Sequence, residues 1–227
     1  MSFIQWAVIK TVKGLIRIIC RVDEGWIEQV PMAGPLILVS NHINFLDIPL
    51  VFTHLQPRPL TAFVKVETWD NPIMGWLFNL YDAIPIERGA PDRTALHQGM
   101  AALKEGKILA ISPEGTRSND GCLKRGYPGV ALVAQISRAP LLPLVFYGGE
   151  NFHQNFHRLR RTDFHIRVGR QFWVNQRDRV GQRDDRQAIT DEIMYQLAAL
   201  LPLQYRGSYS NLEKATTKYL TFEPASA

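Results

Sequence analysis

The sequence predicts an α/β fold: a largely parallel central sheet flanked by helices, preceded by an amphipathic helical segment. Two observations predict it. Short apolar runs alternate with longer segments of helical periodicity, and strand–helix alternation gives a mostly parallel sheet covered by helices. One run, Ile108-Leu109-Ala110-Ile111, is apolar throughout, as expected of a central strand buried on both faces. With 227 residues the chain is long enough for one substantial domain with a real core. No Gly/Ser linker, repeat or low-complexity tract marks a second one. We therefore read residues 1–20 as an N-terminal helix and 21–227 as one domain.

The N-terminal segment Phe3 to Arg21 is apolar in bulk, interrupted by Lys10, Lys13, Arg17 and Arg21 at steps of three, four and four. That spacing places the cations on one helical face. A spanning helix has few or no charges, and no small-residue cleavage site follows as a signal peptide requires. Two readings remain: an interfacial helix with cations on anionic headgroups, or an amphipathic helix packed on its own domain. Trp6 and Trp26 favour an interface.

Six strands follow: Leu36–Ser40, Leu60–Val64, Ala83–Ile86, Ile108–Ser112, Leu141–Phe146 and Phe164–Gly169. Between them lie three clear helices. Asp92 can cap one that runs to Lys104, with Leu96, Met100 and Leu103 on one stripe and Gly106 as its stop. Tyr127–Ser137 reads as the second. Asp184–Leu200 is the third, with Ile189, Ile193, Leu197 and Leu200 at helical spacing and Pro202 beyond it. In parallel sheets, functional residues gather in loops after the strand C-termini.

Composition narrows the partners. The net charge is +5, which favours phosphate-bearing or anionic partners. Arginines crowd residues 158–186, and the ordinary explanation of such a run is a solvated face. No nucleic-acid motif or aromatic stacking pattern accompanies them, so no nucleic-acid partner is expected. The two cysteines, Cys20 and Cys122, lack disulfide-framework or metal-ligand spacing; no metal or cofactor is expected, and a cytosolic exposure is.

Three turns carry candidate chemistry. Asn41-His42-Ile43-Asn44-Phe45-Leu46-Asp47 follows the first central strand. Histidine is the usual general base near neutral pH, and a carboxylate can orient it. Helical neighbours stand three or four apart. A His42–Asp47 pair therefore needs His42 in the turn before a helix that starts near Phe45. Ile84-Pro85-Ile86-Glu87-Arg88-Gly89 places a cation at a strand end. Pro113-Glu114-Gly115-Thr116-Arg117-Ser118 combines Gly, hydroxyls and a guanidinium in one turn, which suits a phosphate. Glu114 would repel a phosphate; it is read as holding Arg117 or accepting backbone N–H groups.

In this order the segments resemble the lysophosphatidic acid (1-acyl-glycerol-3-phosphate) acyltransferase family of the glycerophospholipid acyltransferases. The resemblance rests on Asn41-His42-x4-Asp47, Ala83–Gly89, Ser112–Ser118 and Ala139-Pro140-Leu141-Leu142-Pro143-Leu144. Phe63-Val64-Lys65, Pro72–Trp76 and Gly149-Glu150-Asn151 are also similar. Asn44 stands where the family often has Ser, and Ser112 where an aromatic is common. The resemblance implies transfer of an acyl group from acyl-CoA or acyl-carrier protein to a lysophospholipid hydroxyl, giving phosphatidic acid. His42 would be the base and Asp47 its orienting carboxylate. Lys65, Arg88, Glu114, Gly115, Thr116, Arg117 and Lys124 would form the acceptor site. It further implies an anionic membrane surface as partner, with residues 1–20 as a peripheral or monotopic anchor on the cytoplasmic face. Rival readings are another acceptor (glycerol-3-phosphate, a different lysophospholipid or a lipid alcohol) and a non-catalytic lipid-binding protein. The apolar residues Ile48–Phe52 and Trp76–Phe78 are either core or an acyl groove, and core is the preferred reading.

Overall fold

The computed structural model describes every residue except Met1, Glu24, Arg88, Ala90, 176–182 and 223–227, and only the backbone of Arg183 and Asp184. The strands are β1 (Cys20–Val22), β2 (Leu36–Ser40), β3 (Leu60–Lys65), β4 (Ile84–Ile86), β5 (Ile108–Ile111), β6 (Leu141–Tyr147), β7 (Thr162–Val168), β8 (Trp173–Val174) and β9 (Leu220–Thr221). The helices are α1 (Phe3–Ile19), α2 (Asp47–His54), α3 (Pro72–Leu80), α4 (Arg93–Lys104), α5 (Gly129–Ser137), α6 (Phe152–His157) and α7 (Arg183–Leu200).

One sheet runs β1-β7-β6-β2-β5-β3-β4, and β8 pairs with β9 in a second, two-stranded sheet. From β6 to β4 the main sheet is parallel. The pleat sends alternate residues of β2 to opposite faces. Ile37 and Val39 join a core with α4, α5 and α7, while Leu36 and Leu38 join one with α1 and α2. Every residue from Leu36 to Val39 is buried, so the C-terminal turn of β2 stands on a platform packed from both sides.

The strand C-termini gather the candidate residues at one end, as α/β topology requires. Caps fix the helices nearby. Asp92 accepts the N–H of Ala95 at 2.8 Å to start α4, and Gly106 takes φ +76° just beyond its end, a conformation that glycine adopts without Cβ strain.

Three expectations change. β7 begins at Thr162, two residues before the expected Phe164, and runs antiparallel to β6. A parallel return needs a crossover across the sheet of a dozen or more residues, whereas the connection through α6 stays at one end. α1 ends at Ile19, so Arg21 leaves the cationic helical stripe. It lies in β1 and pairs with Asp163 at 3.1 Å. β1, β8, β9, α3 and α6 are additional elements. Among the described residues, no helix is long and apolar enough to cross a membrane.

α1 packs one stripe on its own domain and leaves another exposed. Its capping box is complete: Ser2 Oγ accepts the Gln5 N–H, and the Gln5 side chain accepts the Ser2 N–H. Ile9 and Ile16 are buried, with Val12 and Ile19 packed beside them. Phe3, Ile4, Leu15 and Ile18 remain exposed. On α2, Leu50, Val51 and Phe52 are core residues, as preferred, whereas Trp76 on α3 is exposed.

Candidate active site

β2 ends at Ser40, and the chain then turns before α2 starts at Asp47. This is the arrangement the five-residue spacing demands: His42 outside the helix, Asp47 as its first residue. His42 Nδ1 lies 2.7 Å from Asp47 Oδ2. The same oxygen accepts the N–H groups of Ile43 at 2.6 Å and Asn44 at 3.1 Å. A carboxylate only accepts, so Nδ1 carries the proton and Nε2 of the neutral ring keeps its lone pair. Asp47 is 3 % exposed, and the helix N-terminus favours its negative charge.

Asn41 and Asn44 brace this turn from either side. Asn41 Nδ2 donates to the Phe146 carbonyl at 2.9 Å, and its Oδ1 accepts the Phe146 N–H at 2.8 Å. The side chain thus extends the β2–β6 ladder by one rung. Asn44 Nδ2 donates to the Gly149 carbonyl at 2.7 Å, while its Oδ1 accepts the Leu46 N–H at 2.8 Å. The Asn44 that departs from the family's common Ser is therefore a structural tie. Neither role was legible in the sequence. The available signal was an Asn directly after a buried strand, a residue able to both donate and accept.

The turn after β5 packs against the His42 turn. Glu114 is 1 % exposed. Its Oε2 accepts the His42 N–H at 2.9 Å, and its Oε1 accepts the Lys124 N–H at 2.8 Å. Of its two readings, the backbone one holds. Glu114 is a clasp beneath the site rather than a surface contact. Burial pushes its carboxyl up to about 7, against the pull of those two N–H groups. Ser118 completes the seam: its N–H donates to the His42 carbonyl at 2.7 Å. Gly115 takes φ +64° with Tyr127 against it, so a side chain there is strained.

The remaining candidates line the surface. Arg117 Nε points at His42 Nε2 from 3.4 Å, a long contact at the exposed rim. Lys124 Nζ donates to the Arg117 carbonyl at 2.8 Å, which fixes the loop backbone. Thr116 is exposed beside them, and exposed Lys65 closes β3 at the same end of the sheet. Arg88 lies outside the described residues. His42, Asp47, Glu114, Arg117 and Lys124 thus form one connected cluster, with Lys65 two strands away from β2. Among the described residues, no three His, Cys, Asp or Glu side chains gather as a metal site requires.

What the cluster can do chemically is accept a proton at Nε2 and hold the resulting imidazolium against a buried carboxylate. An exposed guanidinium and an exposed hydroxyl stand beside it, suited to an anionic oxygen.

Comparison with known proteins gives the family. A family model described as Acyltransferase matches residues 21–147. A 1-acyl-sn-glycerol-3-phosphate acyltransferase of Bacillus subtilis is 30 % identical over 122 residues, covering 53 % of this chain and 60 % of the relative. The chloroplastic LPAT1 of the same name from Arabidopsis thaliana is 32 % identical over 126 residues, covering 54 % of this chain and 35 % of the relative. A lyso-ornithine lipid O-acyltransferase of Pseudomonas aeruginosa is 35 % identical over 91 residues, covering 40 % of this chain and 34 % of the relative. The chain therefore spans less than two thirds of the length of each of these relatives. The crystal structure of the 1-acyl-sn-glycerophosphate acyltransferase PlsC from Thermotoga maritima superposes with a TM-score of 0.62 at 20 % identity, over 86 % of this chain and 79 % of that one. That likeness confirms the mostly parallel sheet flanked by helices. The family match runs along the chain from β1 through β6, with both the His42 turn and the Glu114 clasp inside it, and the chain belongs to the acyltransferase family.

Proposed function

We propose that this protein transfers an acyl group from a thioester, carried by CoA or acyl-carrier protein, to the free hydroxyl of 1-acyl-glycerol-3-phosphate. The product is phosphatidic acid. The observation that carries the reading is the 2.7 Å bond from His42 Nδ1 to a buried Asp47, which leaves Nε2 as the acceptor at the surface. The names of the Bacillus and Arabidopsis relatives support the same acceptor.

In this mechanism Nε2 removes the acceptor hydroxyl's proton as its oxygen attacks the thioester carbonyl. The tetrahedral intermediate collapses, the C–S bond breaks, and the imidazolium returns its proton to the departing thiolate. Asp47 holds the ring in the Nδ1–H tautomer and stabilises the imidazolium. Arg117 Nε lies 3.4 Å from Nε2. An acceptor phosphate would draw the guanidinium away and present the hydroxyl in its place, so binding and base activation are linked. Lys65, Arg88, Thr116 and Lys124 are proposed as further phosphate contacts, and the Glu114 clasp fixes the Lys124 backbone among them. The acyl group passes directly from the thioester to the acceptor hydroxyl. The acceptor and product are lipids, so the protein is proposed to act on an anionic membrane at its cytoplasmic face, with α1 as a peripheral anchor. The exposed Phe3, Ile4, Leu15 and Ile18 beside cationic Lys10 suit such an interface.

The test is acyl transfer by purified protein, with matched donors on both carriers and a panel of lyso-acceptors, read by product mass. His42→Ala should abolish transfer while leaving fold and vesicle binding intact. Transfer to lyso-ornithine lipid instead of the phosphate acceptor would move the assignment to the Pseudomonas relative's chemistry.

A further inference from the structure

A short turn at the catalytic end of the sheet presents apolar surface that the fold does not require. α6 ends in a complete Schellman motif: the Arg160 N–H donates to the Asn155 carbonyl at 2.8 Å, and the Leu159 N–H to the Phe156 carbonyl at 3.0 Å. The motif needs its C′ residue in the left-handed region, where glycine is usual. Here that residue is Leu159, at φ +52°. It is also 96 % exposed. A leucine held in a conformation that disfavours it, with its side chain in water, gains the fold nothing.

The neighbours say what it meets. Arg158 and Arg160 flank it, both exposed, and His157 precedes them. Arg161 Nη2 donates to the Arg17 and Cys20 carbonyls, each at 2.7 Å. The turn is thereby locked to the C-terminal end of α1, where Ile18 is 69 % exposed. An aromatic path leads inward from the turn. Exposed Phe156 packs on Phe152 at 5.7 Å between ring centres, and Phe152 packs edge-on against exposed Phe45 at 5.5 Å. Phe45 lies in the His42 turn itself. Apolar tips bracketed by cations fit one partner chemistry, an anionic bilayer: acyl region for the tip, phosphate headgroups for the cations.

We propose that the Phe156–Arg160 turn is a second membrane-insertion point, in which Leu159 enters the acyl region while Arg158 and Arg160 bind anionic headgroups. With Ile18 of α1 it holds the His42 end of the sheet against the lipid, and the Phe156–Phe152–Phe45 path leads from bilayer to site. The proposal rests on the reading of this chain as an enzyme of membrane lipids.

The test uses the full chain and vesicles of equal parts phosphatidylglycerol and phosphatidylcholine. Leu159→Ser should weaken binding about tenfold. Leu159→Gly should weaken it as much while melting no lower than the parent, because glycine relieves the left-handed strain. Ile136→Ser, an exposed apolar position at the opposite end of the sheet, should bind unchanged. In Leu159→Trp, the introduced indole should shift its emission to the blue on binding and be quenched by brominated acyl chains. Pure phosphatidylcholine vesicles should bind far more weakly. Unchanged affinity in both Leu159→Ser and Leu159→Gly, an indole that stays in water, or equal binding to neutral vesicles would overturn the proposal. Its failure is separable from that of acyl transfer. Leu159 variants should turn over a short-chain, water-soluble acceptor as the parent does. If the parent transfers no acyl group yet Leu159 governs vesicle binding, the enzymatic reading fails and the insertion point stands.

Discussion

Asp47→Asn isolates the charge from the shape of the proposed base. In the parent, Asp47 Oδ2 receives three donors, from His42, Ile43 and Asn44. Asparagine can satisfy all three only by placing its amide oxygen there. Its NH2 then occupies the position of Oδ1, which is buried without a hydrogen-bond partner. Two costs follow. Leaving a buried amide group unpaired costs about 1–3 kcal/mol of stability. The second cost falls on the reaction. At an effective dielectric of about 20, a full imidazolium–carboxylate pair at the observed 2.7 Å interacts by about 6 kcal/mol. The amide dipole keeps part of this, and charge-removing changes at such an orienting carboxylate lower turnover about a thousand- to ten-thousandfold. That is about 4–5.5 kcal/mol of transition-state stabilisation. The assay is steady-state acyl transfer to a soluble lyso-acceptor, with denaturant unfolding alongside. The loss should appear in kcat, with the acceptor KM little changed. Asp47→Ala should lose as much activity and more stability, since three donors lose their acceptor. An Asp47→Asn variant retaining more than about a tenth of parental kcat would refute the role of the charge.

Two further outcomes follow from the same turns. Glu114→Gln should change the pH dependence of stability. The folded carboxyl sits at about 7 against an ordinary 4.5, so the folded state holds its proton more tightly than the unfolded one. Stability in the parent should therefore fall as pH rises from about 4.5 to 7, by on the order of 3 kcal/mol. Glu114→Gln should lack this slope in denaturant unfolding between those pH values, and an identical slope in both proteins would contradict the burial argument. Arg117→Ala should raise the KM for a phosphorylated acceptor about tenfold or more with a smaller change in kcat. An equal effect on a lyso-acceptor without phosphate would remove Arg117 from the phosphate site.

The legible parts of this molecule were those set by local pattern. β5 stood out because a strand buried on both faces is apolar throughout. The Asp92 cap and Gly106 stop bracketed α4 because each solves a local backbone problem. The His42–Asp47 geometry was legible because five residues fit no helical pairing, which left the strand–turn–helix solution. Long-range pairing was not legible. β1 is three residues long and too short to show a period, and nothing local sets the direction of β7. Glu114 offered two roles from sequence, and only the packed turn showed which backbone groups it takes. Leu159 left no signal, because a left-handed cap is normally marked by glycine. Asn44 looked like a departure from the family pattern and proves to be a tie to Gly149.

The proposed role of His42 as a base on a lysophospholipid hydroxyl is decided by the product. The most direct measurement is the product mass from parent and His42→Ala protein, each given 1-acyl-glycerol-3-phosphate with acyl-CoA and with acyl-carrier-protein donor. Phosphatidic acid should form from the parent with at least one donor, and none above background from His42→Ala at equal fold and vesicle binding. Phosphatidic acid from His42→Ala at a rate near the parent's would contradict that role.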